Sequence, residues 1–529
     1  MPLVVQATGP VKRAKMAAAA GGDWQLAAGH FIPAKMTPII IHPRPDAEMA
    51  AYARAARAPS AIAWEIPIVV RGGAWPFKYE LVTGPSGMAM TRETLPSDWL
   101  TNGAQGYGIL AWSNPTVGSH DISVKVTDQD GTEVTRDWTL EVIDRENTSY
   151  FVFMDATSGS DSNSGAYSSP MQTIQNGWYE NAKTDSTHQN KQVFYRAGTY
   201  STYVNTGASG QMDLTTSKPA VHVGYPGESV TIDCDLAFWD FESMTNGDVC
   251  FANLSFVNPQ TGTDPTMRKQ FIRISYPAAT RRVMYDNYYD GGGDTQSDDG
   301  SNSSCVMNAG AAASGTDYYG SDTHCTFHQC DNMDFVLMYE SYDHVIEFNL
   351  ITGGYGGTYN PSWGFFIKGN GNERYSIRAN RAIDGTISRP LVHCSEFTSH
   401  LKGDVEVCWN NFRNTAASGN GVGCIRWGQG STGQNYGNFW SYRNNLRDAY
   451  IDLIGIDVDG YFEFENDVHE HNGTYTDGFT FTDSDFATPP PTFVKTDLAT
   501  GTSMVDGTTN LLTGTPRTTY LGTHGCEVA

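Results

Sequence analysis

Charge is scarce in this sequence: Asp, Glu, Lys and Arg make up 17% of its 529 residues, against about 25% in an average soluble protein. Long surface helices need Lys, Glu and Arg on their outer faces, so the shortage argues against a helical protein. Basic residues are scarcer still. Against 58 Asp and Glu stand 34 Lys and Arg, a net charge of −24 with no basic stripe to offset it. Phosphate neutralisation supplies most of the affinity in nucleic-acid complexes, so no nucleic acid is expected as partner. No run of about 18 apolar residues occurs, which predicts no membrane insertion by a helix. The opening MPLVVQATGPVKRAKMAAAAGGDW follows its basic residues with only a four-Ala patch, a poor match to a secretory signal.

Paired-cysteine motifs are missing as well. The nine cysteines (234, 250, 305, 325, 330, 394, 408, 424 and 526) are odd in number and scattered, with no CxxC pair. Zinc frameworks need such pairs, so these cysteines are expected to be reduced and buried as small hydrophobes. No GxSxG elbow, HExxH helix, P-loop or dinucleotide fingerprint stands in a convincing position, which removes nucleotide and metalloprotease chemistry.

What is abundant is glycine, 55 residues of it, together with Asn, Ser and Thr. That mixture favours turn-rich β structure. Residues 1–58 are rich in Pro, Gly and Ala and poor in aromatics, so they bury little surface alone; they are expected to form an extended arm ordered by an assembly partner. From 59 to 146 the texture is alternation. Residues 122–126 and 138–142 place apolar side chains at every second position, with Thr127-Asp128-Gln129-Asp130-Gly131 between them as a turn, the pattern of a hairpin. With Gly84-Pro85-Ser86-Gly87-Met88, Trp112 and Pro115, this stretch resembles the immunoglobulin- or cadherin-like domains of bacterial surface and phage proteins. The resemblance implies a β-sandwich spacer or adhesion module. Asp128 and Asp130 are read as turn residues, with calcium ligation as the alternative.

From 147 the order is a short strand (151–156), a Gly/Asp/Asn/Ser turn (159–165), a Pro-started segment with Ile174 and Trp178 four apart (170–182), and a strand ending Ala197-Gly198-Thr199-Tyr200. This entry resembles that of right-handed parallel β-helix proteins: polysaccharide lyases, pectinase-like hydrolases and phage tailspikes. In that family a helix caps the open end of the solenoid, and 170–182 is expected to do so. The remainder points the same way by itself. Asn253, Asn287, Gln329, Asn349, Asn380, Asn411, Asn445 and Asn466 follow apolar or aromatic residues at intervals of 34, 42, 20, 31, 31, 34 and 21. Periods of about 20 to 50 residues signal stacked repeats. An Asn at a coil corner can bond its counterpart one coil away, so these positions are expected to form a ladder. The fold class expected is therefore all-β: a right-handed parallel β-helix over 147–483, preceded by an Ig-like β-sandwich and an extended arm, with 484–529 as a tail or small β element.

Candidate chemistry lies in acidic and His-containing clusters. Asp331, Asp334, Glu340, Asp343 and His344 form the first; His393, Glu396, His400 and Lys402 the second; Asp448, Glu463, Glu465, Asp467, His469 and Glu470 the third. Adjacent coils would hold carboxylates about 5 Å apart, and alternate coils about 10 Å, which brackets the separations used by glycosidases. A lyase route would instead use Lys402 or His393 as base, with Glu396 as a metal ligand. The residues proposed for catalysis are His393, Glu396, Lys402, Asp448, Glu465, Asp467 and His469; ordinary strand and surface positions are the alternative. Trp363, Trp409, Trp427, Trp440 and Tyr442 are read as rings for stacking on sugars, or else as core. Asp290, Asp294, Asp298 and Asp299 offer hard oxygens to Ca2+ but lack EF-hand spacing.

The resemblance implies a phage virion-associated, tailspike- or fibre-like protein that recognises, and in some such proteins depolymerises, a bacterial surface polysaccharide. It further implies a homotrimer joined to other virion proteins through the arm, found in the phage particle and extracellular after lysis. A non-catalytic decoration or adhesion protein and an exported polysaccharide lyase or glycoside hydrolase are the alternatives.

Overall fold

The computed structural model describes residues 33–46, 49, 53–92, 108–179, 182 and 191–202, and between 211 and 500 the strands and a minority of the turns that join them. Residues 39–143 form two four-stranded sheets, and their inner faces share one core. Trp64–Arg71 and Gly108–Trp112 on one sheet, buried nearly throughout, and the alternating Gly118–Thr127 and Glu133–Ile143 on the other supply it: Trp64, Ile66, Ile68 and Leu110 join Ile122, Val124, Trp138 and Leu140. The expected hairpin is present, with ten antiparallel pairs between Gly118–Thr127 and Glu133–Ile143. Its turn is held by Asp128, which accepts the backbone N–H of Thr132 at 2.8 Å and of Ala74 at 3.1 Å, while Asp130 accepts that of Ala34 at 2.8 Å. One boundary moves. Ile39–His42 pairs with Trp64–Arg71, and Arg57–Pro59 with Glu133–Ile143, so these two strands, inside the span expected to be an arm, lie in the sandwich sheets.

After Phe151–Met154 the chain winds through three long sheets. Each coil contributes one strand to each sheet, and every pairing is parallel between successive coils. The fold is a right-handed parallel β-helix. The first sheet holds twelve strands, the second eleven and the third ten. The stack does not stop at 483, because Thr492–Thr496 pairs with Asp457–Glu465, and Ala499–Thr500 with Val468–Glu470. Within the expected capping segment 170–182, Ile174–Tyr179 makes a single helical turn. Ile174, Trp178 and Tyr179 are buried there with Val152 and Met154 of the first coil.

The corner between first and second sheets sets the period. At each corner one residue adopts a left-handed conformation (Asn253, Asp286, His324, Phe348, Ala379 and Trp409, φ 51 to 58°), and the next begins a strand of the second sheet after one more step. That second corner position carries the ladder. Asn349 Nδ2 donates to Asn380 Oδ1, Asn380 Nδ2 to Asn410 Oδ1 and Asn410 Nδ2 to Asn444 Oδ1, each at 3.0 Å. Every one of these amides is fully buried. Asn287, Asn349 and Asn380 are therefore ladder members as expected, whereas Leu254, Cys325, Asn410 and Asn444 replace Asn253, Gln329, Asn411 and Asn445; Asn466 lies outside the described residues.

Candidate functional site

Period-2 alternation divides the third sheet into a core face and an opposite face. Buried Met212, Trp239, Ile272, Val306, Val336, Phe365 and Val392 share one inner column. Phe241, Ile274, Met338, Ile367 and Cys394, two residues further along their strands, belong to another. The register positions between them form one unbroken column on the opposite face: Asp213, Asp240, Arg273, Met307, Leu337, Phe366, His393, Arg426, Asp452 and Thr480. Neighbours in such a column stand about 4.8 Å apart. The order is acidic, then apolar at three successive coils, then His393, Arg426 and Asp452 on three more. His, Arg and Asp thus occupy successive register positions, preceded by three apolar ones.

On the first sheet the sandwich lies over the outer face. Arg71 Nε reaches Asp343 Oδ1 at 3.0 Å, and Arg374 Nε reaches the same oxygen at 2.8 Å. Arg378, fully buried, donates to Glu347 at 2.8 Å, to the Gly72 carbonyl at 3.2 Å and to the Val70 carbonyl. Glu406 accepts the Tyr442 hydroxyl at 2.8 Å and the Ser376 hydroxyl, which itself takes the Gly72 N–H at 2.9 Å. Burial pushes Glu347 and Glu406 above the usual carboxylate range, opposed by the charge of Arg378, whose own pKa is raised by the two acids. The Trp75 ring lies 4.9 Å from Trp409 and 6.3 Å from Phe348.

This junction overturns part of the sugar-stacking expectation. Trp409, Trp440 and Tyr442 are 1%, 7% and 2% exposed, because their corner and first-sheet positions face the sandwich. Trp427 takes the third-sheet register of Cys394. Trp363 lies outside the described residues.

The three described catalytic candidates stand on three different sheets. His393 joins the outer column of the third sheet. Glu465 takes the first-sheet register of Tyr442, and His469 the second-sheet register of Leu446 and of buried Phe412. Glu396, Lys402, Asp448 and Asp467 lie outside the described residues. The first cluster is split by face: Asp343 belongs to the sandwich junction, while His344 lies inside the stack. There His344 Nε2–H donates to Asp322 at 2.8 Å, and Arg282 reaches the same carboxylate oxygen at 2.5 Å. Burial holds His344 at a pKa of about 4; burial also works to raise Asp322, but Arg282 and the His344 bond outweigh it and leave its pKa low. Of the calcium candidates, Asp290 is half-buried and accepts the Gly292 N–H at 3.0 Å, closing its own turn. Asp294, Asp298 and Asp299 lie outside the described residues, among which no cluster of three or more His, Cys, Asp and Glu could hold a metal ion. The seven described cysteines are all buried and outside disulfides, with Cys305 and Cys330 in contact at 3.4 Å.

Sequence reasoning missed Arg426 and Asp452 because each stands alone in its segment, and only the register brings them beside His393. No known protein family matches the chain, and no curated protein does. Three solved structures are similar to it at low level. A periplasmic alginate epimerase is 10% identical over 58% of this chain and 84% of its own, with a TM-score of 0.28. A pectate lyase is 11% identical over 63% and 78%, TM-score 0.24. A Yersinia enterocolitica family 28 exopolygalacturonase is 10% identical over 84% and 97%, TM-score 0.29. The β-helix assignment stands on the strand register, not on these likenesses.

Proposed function

We infer that the chain recognises an extended bacterial surface polysaccharide along the third sheet, as a virion-associated tailspike- or fibre-like protein of a phage. The observation that carries this reading is the ten-position column, continuous from coil to coil on the third sheet, for which no contact with the sandwich is seen among the described residues. A linear glycan repeats along one direction, as the column does. Apolar positions at Met307, Leu337 and Phe366 suit the carbon faces of sugars, and flanking charged positions suit hydroxyls and acidic substituents. His393, Arg426 and Asp452 supply the base, cation and acid from which a cleavage step is built. The N-terminal residues ahead of the sandwich make the contact with other virion proteins, and three chains associate.

The test uses the full chain and the capsular or lipopolysaccharide glycan of candidate hosts. Phe366→Ala and Arg426→Ala are expected to weaken binding about tenfold or more, as loss of a stacking or charged contact does, while Thr352→Ala on the second sheet leaves it unchanged. Release of new reducing ends identifies a hydrolase, and an unsaturated product a lyase. Binding without product identifies an adhesin. Binding that survives both third-sheet substitutions would remove the column from the site.

A further inference from the structure

A narrow cleft lies between the sandwich and the first sheet, lined by Ile41, His42, Arg44 and Arg54 on one side and by Val249 and Ser321 on the other. Arg54 is 4% exposed and Ser321 1%. Arg54 Nε donates to the Glu65 carbonyl at 3.1 Å, but its Nη2 atom, His42 Nε2 and Ser321 Oγ have no hydrogen-bond partner. Buried donors are satisfied as a rule, and a buried guanidinium with open donors is among the most costly groups a fold can hold. The lining contains Arg44, Arg54 and Arg282, the last paired with Asp322 behind it, and no Asp or Glu, in a chain whose net charge is −24. The acid that acts on Arg54 is Glu65, in the strand Trp64–Arg71.

We propose that this space holds a small monovalent anion, a halide or a small carboxylate, which joins the sandwich to the solenoid. Water would satisfy the open donors but bring no charge, whereas the surplus at the site is cationic. Walls formed by Ile41 and Val249 restrict the occupant to a small ion. Burial and Arg44 hold His42 at a pKa of about 4, so at neutral pH it contributes a neutral ring and the arginines carry the charge. Since the lining comes from both bodies, the anion binds only the docked arrangement and stabilises it by mass action.

Bromide is the probe for the halide and acetate for the carboxylate. Crystals of the full chain soaked in sodium bromide are expected to show an anomalous peak within hydrogen-bond reach of Arg54 and Ser321, or sodium acetate to show a planar feature there; which of the two appears decides between the sources. In solution, replacing potassium glutamate, too large to enter, by potassium chloride or acetate at constant ionic strength should raise the thermal midpoint by about 2 °C or more. Arg54→Met and Ser321→Ala should each diminish that rise; if Arg54→Met fails to fold, Ser321→Ala and the crystal soaks decide. Water alone or an empty space under both soaks overturns the proposal, whatever the salts do to the midpoint.

Discussion

Arg282, Asp322 and His344 carry ionisable groups into the interior of a largely apolar stack. The arrangement survives there because each charge meets another: Asp322 receives both Arg282 and His344. Gly320 makes room for it, since a Cβ at that position would lie 2.2 Å from His344 Cε1. The histidine is kept neutral, and this has a sign. Its folded pKa, about 4, lies below the ordinary 6.5, so the folded state refuses a proton that the unfolded chain accepts. Its contribution is complete above pH 6.5 and is lost as pH falls from there toward 4, at about 1.4 kcal/mol per unit. Asp322, held low, acts in the same direction further into acid, while Glu347 and Glu406, held high by burial, favour the fold as pH falls through their raised pKa values. His344→Gln keeps a neutral donor and removes the titration. Urea-unfolding free energies measured from pH 4 to 7 are expected to lose that share of the slope in the variant; an unchanged slope would mean that His344 is not held neutral.

Strand and corner follow a rule that was largely legible in the sequence: an Asn recurs at the bend because a buried amide finds its partner one coil away. The spacing of 31, 30 and 34 residues along Asn349, Asn380, Asn410 and Asn444 is what the sequence pattern detects. The exact member was not legible where Asn occurs in pairs. In Trp409-Asn410-Asn411 and Arg443-Asn444-Asn445, either Asn satisfies the local pattern, and only the left-handed corner at Trp409 decides that Asn410 is the buried one. At Leu254 and Cys325 the ladder position holds no amide, so Asn253 and Gln329 drew the pattern to the wrong residue. The distinction is measurable. Asn380 accepts two bonds from Asn349 and donates to Asn410 and to the Ile346 carbonyl. Asn380→Ala leaves these groups buried and unmet, at about 1–3 kcal/mol each, so the loss should be about 3 kcal/mol or more. Asn411→Ala lies outside the ladder and should stay within about 0.5 kcal/mol. Equal losses in urea titrations of the two would contradict the register.

The whole molecule is less modular than its sequence texture implies. A spacer domain would touch the solenoid only through its linker, yet Arg71, Gly72 and Val70 bond residues 272 to 308 positions away. No local pattern reports a contact at that separation, which is why the late aromatics looked like an open sugar platform when Trp409 and Tyr442 are the floor under the sandwich. The same covering closes the described part of the first sheet to a partner. It also makes the sandwich a structural necessity for the first sheet. A chain starting at residue 147 would bare Phe348, Trp409 and Trp440 together, an apolar patch of the kind that drives association, and would leave Glu347 and Glu406 beside a single arginine without the carbonyls of Val70 and Gly72. Light scattering is expected to find that truncated chain self-associated, whereas the full-length Arg378→Met variant keeps the apolar cover but loses the buried cation and is expected to melt in two steps, the sandwich separating first. A truncated chain that remains monodisperse, together with an Arg378→Met variant that melts like the parent, would return the sandwich to the role of a tethered spacer.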